Sequence, residues 1–341
     1  MKREKSPLIE NDRKFHSVAQ KIGLAMILQV VFFYALNILS TILSGILTEI
    51  LIEEVAYVIS EVLFMISYLS GFLIPAGILY KILGKDAISP RKNGRSMPPV
   101  APLFILGGIS INFCAAYFNQ LLVSALIPTP DGSSLYATEP MVVWYQYVCL
   151  LISTAVIPAI CEEILFRGVI LTNLIPFGRG TAILASGILF GLMHGNILQF
   201  FYTSFFGIVL GYIYVRTRSL WLCMIIHFVN NGIGVLQESM GSLVEPELAT
   251  QINSGIEIFV MVTGVLSLIL LLILEHRKRK PQETGSFGVV FEPALEYEEY
   301  SVTPKQKWSL FFTPTMIIFL VIEGILMLIT AVSLLALWVA V

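Results

Sequence analysis

Residues 141–175, MVVWYQYVCLLISTAVIPAICEEILFRGVILTNLI, decide the fold, because a stretch this long and apolar is typical of a membrane-spanning helix. Two adjacent carboxylates, Glu162 and Glu163, and one cation, Arg167, interrupt it. Charges at membrane depth are energetically unfavourable, and they are usually retained because they pair, face a cavity or take part in chemistry. The run therefore predicts a membrane helix that carries a polar site.

The composition extends this prediction to the whole chain. Its 341 residues are 56% hydrophobic and 13% charged, with a mean hydropathy of +0.83, whereas soluble domains are about a quarter charged. The sequence thus predicts an all-α, polytopic helical bundle of about eight to nine transmembrane helices, a multi-pass protein of the cell membrane whose surroundings are the lipid bilayer. The net charge of −2, with no basic face outside the membrane flanks, argues against nucleic-acid binding. The cysteines lie in apolar runs without CxxC or CxxH spacing, which argues against a disulfide framework or a zinc cluster.

Nine apolar runs are predicted to span the membrane. They cover residues 22–47, 55–83, 101–127, 141–175, 181–195, 197–215, 219–236, 256–274 and 316–341. Only Asn196 and its neighbours divide the fifth run from the sixth. The predicted organisation is an N-terminal tail (1–21), helices one to three (22–140), a core with helices four to seven (141–236), helix eight (237–274), a loop (275–315) and a final helix (316–341).

The connections between these runs alternate in charge. Lys and Arg gather in the N-terminal tail, in every second connection and in the segment before the last helix, while the other connections are acidic or uncharged. Cytoplasmic loops carry the excess of Lys and Arg in membrane proteins. The charge pattern therefore predicts a cytoplasmic N-terminus and a C-terminus on the opposite side.

Three more polar side chains lie deep in predicted spans: His194, His227 and Asn231. At about 1.5 Å of rise per residue, Glu162 and His194 lie about 20 Å from the cytoplasmic ends of their spans. By the same measure His227 lies about 12 Å and Asn231 about 18 Å deep. All four fall in the middle part of a hydrocarbon core about 30 Å thick. The sequence predicts that a carboxylate, two imidazoles and a carboxamide from three helices meet there.

The two glutamates are predicted to differ in role. Glu163 and Arg167 are i,i+4 neighbours on a helix, where opposite charges can pair. Glu162 is rotated about 100° from Glu163. We expect the Glu163–Arg167 pair to be structural support and Glu162 to be the free carboxylate that faces a wet cavity.

Two local patterns bear on the shape of the core. Pro158 precedes the glutamates and is expected to kink the fourth helix or end its first segment. Glycines recur every fourth residue on the fifth and sixth predicted helices, at Gly187, Gly191, Gly195, Gly207 and Gly211. Such small-residue stripes let membrane helices approach closely, and the favoured interpretation is a packing seam.

Three motifs occur in this order: Glu162-Glu163-x-x-x-Arg167, Phe190-x-x-x-His194 and His227-x-x-x-Asn231. Together they resemble the signature of the CPBP family of intramembrane proteases, which includes the type II CAAX prenyl endopeptidases, over about residues 141–236. The resemblance implies a bundle with a cavity open to the cytoplasm and hydrolysis of a peptide bond in a membrane-associated polypeptide. It further implies that Glu162 with His194 activates a water, that His227 and Asn231 stabilise the oxyanion, and that no cofactor is needed.

Other interpretations of the same residues stay open. Glu162, His194 and His227 have the ligand types of a three-ligand catalytic zinc site, so a zinc-dependent intramembrane metalloprotease is the first alternative. A non-enzymatic bacteriocin-immunity or scaffold protein could use the same cavity. A transporter is a third alternative, which the lack of an internal repeat disfavours.

Overall fold

The computed structural model of the chain describes residues 7–83, 99–126, 144–278 and 300–340. Every regular element in these ranges is helical, and eight helices are long and apolar enough to cross a membrane. The predicted class, a polytopic helical membrane protein, is therefore confirmed. The described helices are α1 (Pro7–Ile50), α2 (Glu53–Leu83), α3 (Ala101–Leu126), α4 (Trp144–Phe177), α5 (Arg179–Leu192), α6 (Ile197–Thr217), α7 (Leu220–Leu243), α8 (Pro246–Lys278), α9 (Pro304–Trp308) and α10 (Pro314–Ala340).

Several helices run further than their apolar segments. α1 extends back to Pro7, into the predicted tail, and its residues Phe15 and Ala19 are fully buried. The Phe15 ring packs 5.0 Å from the ring of Phe177 at the end of α4. α7 continues to Leu243 and α8 begins at Pro246, so both extend into residues 237–255, which separate the predicted spans 219–236 and 256–274. A helix can leave the hydrocarbon core because its backbone hydrogen bonds are satisfied internally, so polarity alone does not end it.

The fifth predicted span, residues 181–195, corresponds to the short helix α5. It has 14 residues, about 21 Å of helix, which is less than the thickness of the hydrocarbon core. It ends at Leu192 instead of the predicted Gly195, which has a left-handed φ of 57° in the turn that follows. Asn196 then caps α6, with its side chain accepting a hydrogen bond from the Leu198 N–H. His194 thus lies in a turn between two antiparallel helices. The prediction that it lies within a helix is wrong.

Helices α1 and α10 hold this turn from outside the hairpin. A Cβ placed on Gly195 would lie 3.0 Å from the Tyr34 hydroxyl and 3.4 Å from Glu323 Oε2. The Thr330 hydroxyl donates a 3.3 Å hydrogen bond to the Gly195 carbonyl. The N-terminal and C-terminal helices of the described chain therefore fix the position of the segment that carries His194.

The predicted glycine seam joins α5 to α6. A Cβ on Gly187 would come 2.7 Å from the Ile208 backbone nitrogen, and one on Gly207 would come 2.9 Å from the Gly187 Cα. Gly191 is tighter still, because its Cβ would lie 1.9 Å from the Ser204 hydroxyl and 2.7 Å from the Phe200 carbonyl. The close approach of the two helices is possible because these positions lack side chains.

We expect Gly191→Ala to lower the thermal midpoint and the folded yield of the purified protein. Overpacking of this kind typically destabilises by about 1–3 kcal/mol. The matched control is Gly180→Ala near the start of α5, where an added Cβ meets nothing within 4 Å. Thermal unfolding in detergent, followed by size-exclusion fluorescence, compares the two variants, and equal midpoints would contradict the proposed close packing at Gly191.

The two ends of the bundle differ in which residues they gather. At one end the Thr315 hydroxyl bonds the Gln20 carbonyl at 2.7 Å, and the Tyr300 N–H bonds the Pro176 carbonyl at 2.8 Å. We call this the basic end; it includes the starts of α1, α5, α7 and α10 and the ends of α2, α4, α6 and α8. The opposite, acidic end includes the starts of α2, α4 and α8 and the ends of α1 and α7. There the rings of Tyr57 and Tyr145 lie 5.9 Å apart.

Candidate active site

Pro158 shapes α4 just before the glutamates. Proline has no N–H, so it cannot donate to the carbonyl of Thr154, its partner four residues earlier in an α-helix. The Asn231 side chain supplies a donor instead, at 2.9 Å from that carbonyl. A π-helical stretch, Ile152–Val156, comes just before Pro158. The helix does not end at the proline but continues through Glu163. One proline thus ties α4 to α7 close to the predicted site.

Glu163 lies at the centre of a fully buried ionic cluster. Its Oε1 accepts hydrogen bonds from Arg167 Nη1 at 2.8 Å and from His227 Nδ1 at 2.9 Å. Arg167 also donates to the Gly207 carbonyl at 3.0 Å, and its guanidinium lies 4.6 Å from the centroid of the Phe190 ring. The predicted Glu163–Arg167 pair is present, and it also reaches α6 and α7.

Glu162, the neighbouring carboxylate, is only 2% exposed. Its Oε1 accepts a hydrogen bond from the Tyr68 hydroxyl of α2. None of the described residues donates a hydrogen bond to its Oε2, which lies 3.9 Å from His227 Nε2. Glu162 therefore has one anchored oxygen and one oxygen that is left without a donor.

His227 is held in a defined orientation between the two glutamates. A carboxylate only accepts hydrogen bonds, so Nδ1 of His227 donates to Glu163 and carries a proton. This leaves Nε2 as the nitrogen on the side of Glu162. The rings of Phe190 and Phe206 lie 5.8 Å and 5.6 Å from the imidazole and restrict its movement.

His194 is oriented by its own turn. Its Nδ1 lies 2.8 Å from the Phe190 carbonyl, and because a carbonyl accepts, Nδ1 carries the proton. In the neutral imidazole, Nε2 is then the nitrogen that can take up a proton. The Phe190 ring lies 5.4 Å from that of His194, so the same side chain packs against both histidines of the site.

All four predicted catalytic residues line one cavity of about 420 Å³. The cavity is bounded by α2, α3, α4, the α5–α6 hairpin and α7. Its lining includes Phe64, Tyr68, Asn112, Thr154, Pro158, Glu162, His194, Gln199, Thr203, Phe206, His227, Asn230 and Asn231. The structure thus brings together Glu162, His194, His227 and Asn231, while Glu163 and Arg167 lie behind the wall.

Residues 144–233 match the family described as Type II CAAX prenyl endopeptidase Rce1-like. This segment is an Rce1-like domain. The resemblance seen in the three motifs is confirmed for α4, α5, α6 and most of α7, and this family is a family of proteases. Neither the search of curated proteins nor the search of solved structures returned a match. The family implies an intramembrane protease with a polypeptide substrate.

Three side chains that hydrogen-bond to the predicted site residues or to one another were missed in the sequence. Tyr68 lies in α2, outside the Rce1-like domain, and binds Glu162. Asn112 in α3 donates to Asn230 at 2.8 Å, and Asn230 donates to Asn231 at 3.1 Å. The two amides could have been noticed as polar side chains inside spans. A tyrosine in an apolar helix gives no such signal, because it packs as readily as a phenylalanine.

The zinc alternative can be compared with the side-chain arrangement. Among the described residues, no three His, Cys, Asp or Glu side chains are close enough to hold a metal ion. Nδ1 of His227 is bound to Glu163 and Nδ1 of His194 to a backbone carbonyl, but metal-ligating histidines make the same bonds, so these contacts do not decide against zinc. The separation of the side chains does, because as placed they do not fit a three-ligand zinc site.

The cavity occupies one half of the bundle. On α4 its lining residues other than Glu162 all lie between Trp144 and Glu162, and on α7 they run from His227 toward Leu243. On the other side of Glu162, toward Phe177, the core residues Leu165, Phe166 and Ile170 are fully buried. The cavity therefore extends toward the acidic end, whereas α1 starts at the basic end. The two predictions from the sequence, a cavity that opens to the cytoplasm and a cytoplasmic N-terminus, thus disagree with each other.

Proposed function

We propose that the chain is an intramembrane endopeptidase that hydrolyses a peptide bond of a membrane-associated polypeptide. In this proposal Glu162 and His194 activate a water, and His227 and Asn231 stabilise the oxyanion of the tetrahedral intermediate. The observation that carries the proposal is the convergence of these four side chains on one cavity of the Rce1-like domain. The fully buried Glu163–Arg167 pair acts as their support.

Glu162 is suited to act as the general base. Tyr68 anchors one of its oxygens, and the other has no donor among the described residues, so it can accept a proton from a water in the cavity. His194 reaches the same cavity with Nε2 as its proton acceptor, as described above. Two bases that line the same cavity can bind one water and pass its proton to the leaving amine.

His227 and Asn231 are suited to bind an oxyanion. Glu163 holds Nδ1 of His227, which leaves Nε2 as the ring nitrogen that can bind the oxygen of the intermediate in the cavity. The Asn231 amide has two N–H bonds and donates one to the Thr154 carbonyl, so the second can point into the cavity. Donors fixed in a low-dielectric site stabilise charge that develops in the transition state.

The test is proteolysis by purified protein, with and without chelator. Wild-type protein in detergent or proteoliposomes is incubated with a panel of membrane-segment peptides, and the products are read by mass spectrometry beside metal analysis. We expect cleavage that chelator leaves unchanged, and no stoichiometric zinc. Chelator-sensitive activity that zinc restores, with one zinc per chain that His194→Ala and His227→Ala both lose, would favour the zinc-dependent metalloprotease instead.

The same panel separates an enzyme from a bacteriocin-immunity or scaffold protein. A Glu162→Gln preparation, made in parallel, identifies any contaminating protease. A bacteriocin-immunity or scaffold protein would keep its function in cells when it carries Glu162→Gln, and neither preparation would release a product. That outcome, with folded protein in both preparations, would contradict the proposal.

A further inference from the structure

The charges of the chain are distributed very unevenly between the two ends of the bundle. The sequence has 21 Lys and Arg residues, and among the described ones only Arg167 is paired with the glutamates behind the cavity wall. The remaining 20, which is 21 minus Arg167, lie before residue 22, in residues 81–95, at Arg179, Arg216 and Arg218, and in residues 277–307. In the sequence, each of these segments contains or follows a helix terminus that lies at the basic end, and the connections between helix termini of the acidic end contain no Lys or Arg.

Contacts within the described chain support this grouping independently of the alternation of helices. The Lys14 ammonium lies 4.9 Å from the Tyr300 ring, and Arg216 pairs with Glu275 at 2.7 Å. Described residues at the start of α1, at the end of α6 and at the end of α8 therefore make contacts at this end of the bundle. By the positive-inside rule, this end faces the cytoplasm.

We propose that the cavity of the Rce1-like domain opens to the extracytoplasmic side of the membrane. Its lining continues from Glu162 toward the acidic end, where a second cavity of about 250 Å³ shares Asn112, Asn230 and Gly234 with it. That second cavity reaches Gln237 and Glu257, near the end of α7 and in the first part of α8. On the cytoplasmic side of Glu162, the buried ion pair and the packed residues of α4 close the way.

This orientation determines the class of substrate, a step that rests on the proposed function. A polypeptide that enters from the acidic end presents a segment on the extracytoplasmic side of its own membrane anchor. The substrates are therefore exported or membrane-anchored polypeptides cut near the outer part of a span, and not proteins with a lipid-modified C-terminus in the cytoplasm.

Three glycines offer matched positions for a direct test of orientation. An added Cβ meets nothing within 4 Å at Gly180, Gly234 or Gly241, so a cysteine fits each position without a clash. Gly180 lies at the basic end, Gly234 lines both cavities, and Gly241 lies near the acidic end of α7. In the background chain, the two more accessible cysteines, Cys114 and Cys149, are replaced by serine, and the buried Cys161 and Cys223 are kept.

A membrane-impermeant maleimide is added to intact spheroplasts and to permeabilised ones. We expect Gly234→Cys and Gly241→Cys to react in intact spheroplasts, and Gly180→Cys to react only after permeabilisation. Reaction of Gly180→Cys from outside, with Gly234→Cys protected until permeabilisation, would overturn the orientation. Reaction of Gly241→Cys but not of Gly234→Cys in either preparation would overturn the opening at the acidic end.

The substrate class has a separate readout, which also separates this proposal from the proposed function. New protein termini are compared by mass spectrometry between membranes that contain the wild type and membranes that contain Glu162→Gln. We expect the Glu162-dependent termini to lie at the extracytoplasmic ends of the spans of the cleaved proteins. Termini at the cytoplasmic ends would overturn the substrate class and leave the protease function intact, whereas a lack of Glu162-dependent termini would contradict the protease function while the labelling result stands.

Discussion

Glu162→Gln is expected to lower turnover by about 10⁴-fold, the upper end of what proton transfer by a positioned side chain contributes. Glutamine keeps the shape of the side chain and can still accept the hydrogen bond from Tyr68, but it cannot take a proton from water. The folded yield should stay close to that of the wild type, because among the described residues Glu162 has no ion-pair partner closer than the 3.9 Å to His227. Initial rates on a cleaved peptide, beside size-exclusion profiles, measure both quantities.

The matched control is the neighbouring glutamate. Glu163→Gln leaves Arg167 without its fully buried anionic partner, and breaking a buried pair in this way typically destabilises by about 3–5 kcal/mol. We therefore expect the folded yield to fall in Glu163→Gln, and in Arg167→Ala for the same reason. If all three variants lose activity equally at wild-type yield, the division of roles between Glu162 and Glu163 is wrong.

Asn231→Ala is expected to lower kcat by about a hundred- to a thousandfold, which is the usual loss when one oxyanion donor is removed. KM should change little, because the interaction is made with charge that develops in the transition state. The variant also loses the bond to the Thr154 carbonyl, so its thermal midpoint is measured alongside the kinetics.

Asn112→Ala is the control for this effect. Asn112 lines the same cavity as Asn231. Its side chain donates a hydrogen bond to Asn230 and not to Asn231. Its kcat should therefore fall much less than that of Asn231→Ala. Equal losses of kcat, or a loss in Asn231→Ala that appears entirely as a higher KM, would remove the argument for Asn231 as an oxyanion donor.

The helices and the ion pair could be predicted because local physics determines them. In a bilayer every backbone group must be bonded internally, so a long apolar run has essentially one solution, a helix. The Glu163–Arg167 pair follows from i,i+4 spacing alone and was present as predicted. The charge alternation of the connections is likewise read directly from the sequence.

What the sequence did not predict depends on packing between distant segments. Tyr68 meets Glu162 across 94 positions of sequence, and nothing local distinguishes it from any other aromatic side chain in a span. The end of α5 was misplaced because Gly195 continues the spacing of Gly187 and Gly191, although its backbone is left-handed. The direction of the cavity depends on which halves of α4 and α7 pack tightly, and periodicity does not reveal this.

The helix α4 contains two π-helical stretches, Ile152–Val156 and Ile164–Leu171, on either side of the segment that carries the glutamates. A π turn bonds residues five apart instead of four, so each stretch holds a residue more than an α-helix of the same length would need. For the comparison of sequences, these are the two places where a relative can lack one residue and still keep an unbroken helix. An alignment that forbids gaps inside helices would rotate the glutamates by about 100° against the segments before or after them. Homologues of this chain are therefore better aligned from the two glutamates outward, with single-residue gaps allowed in each stretch.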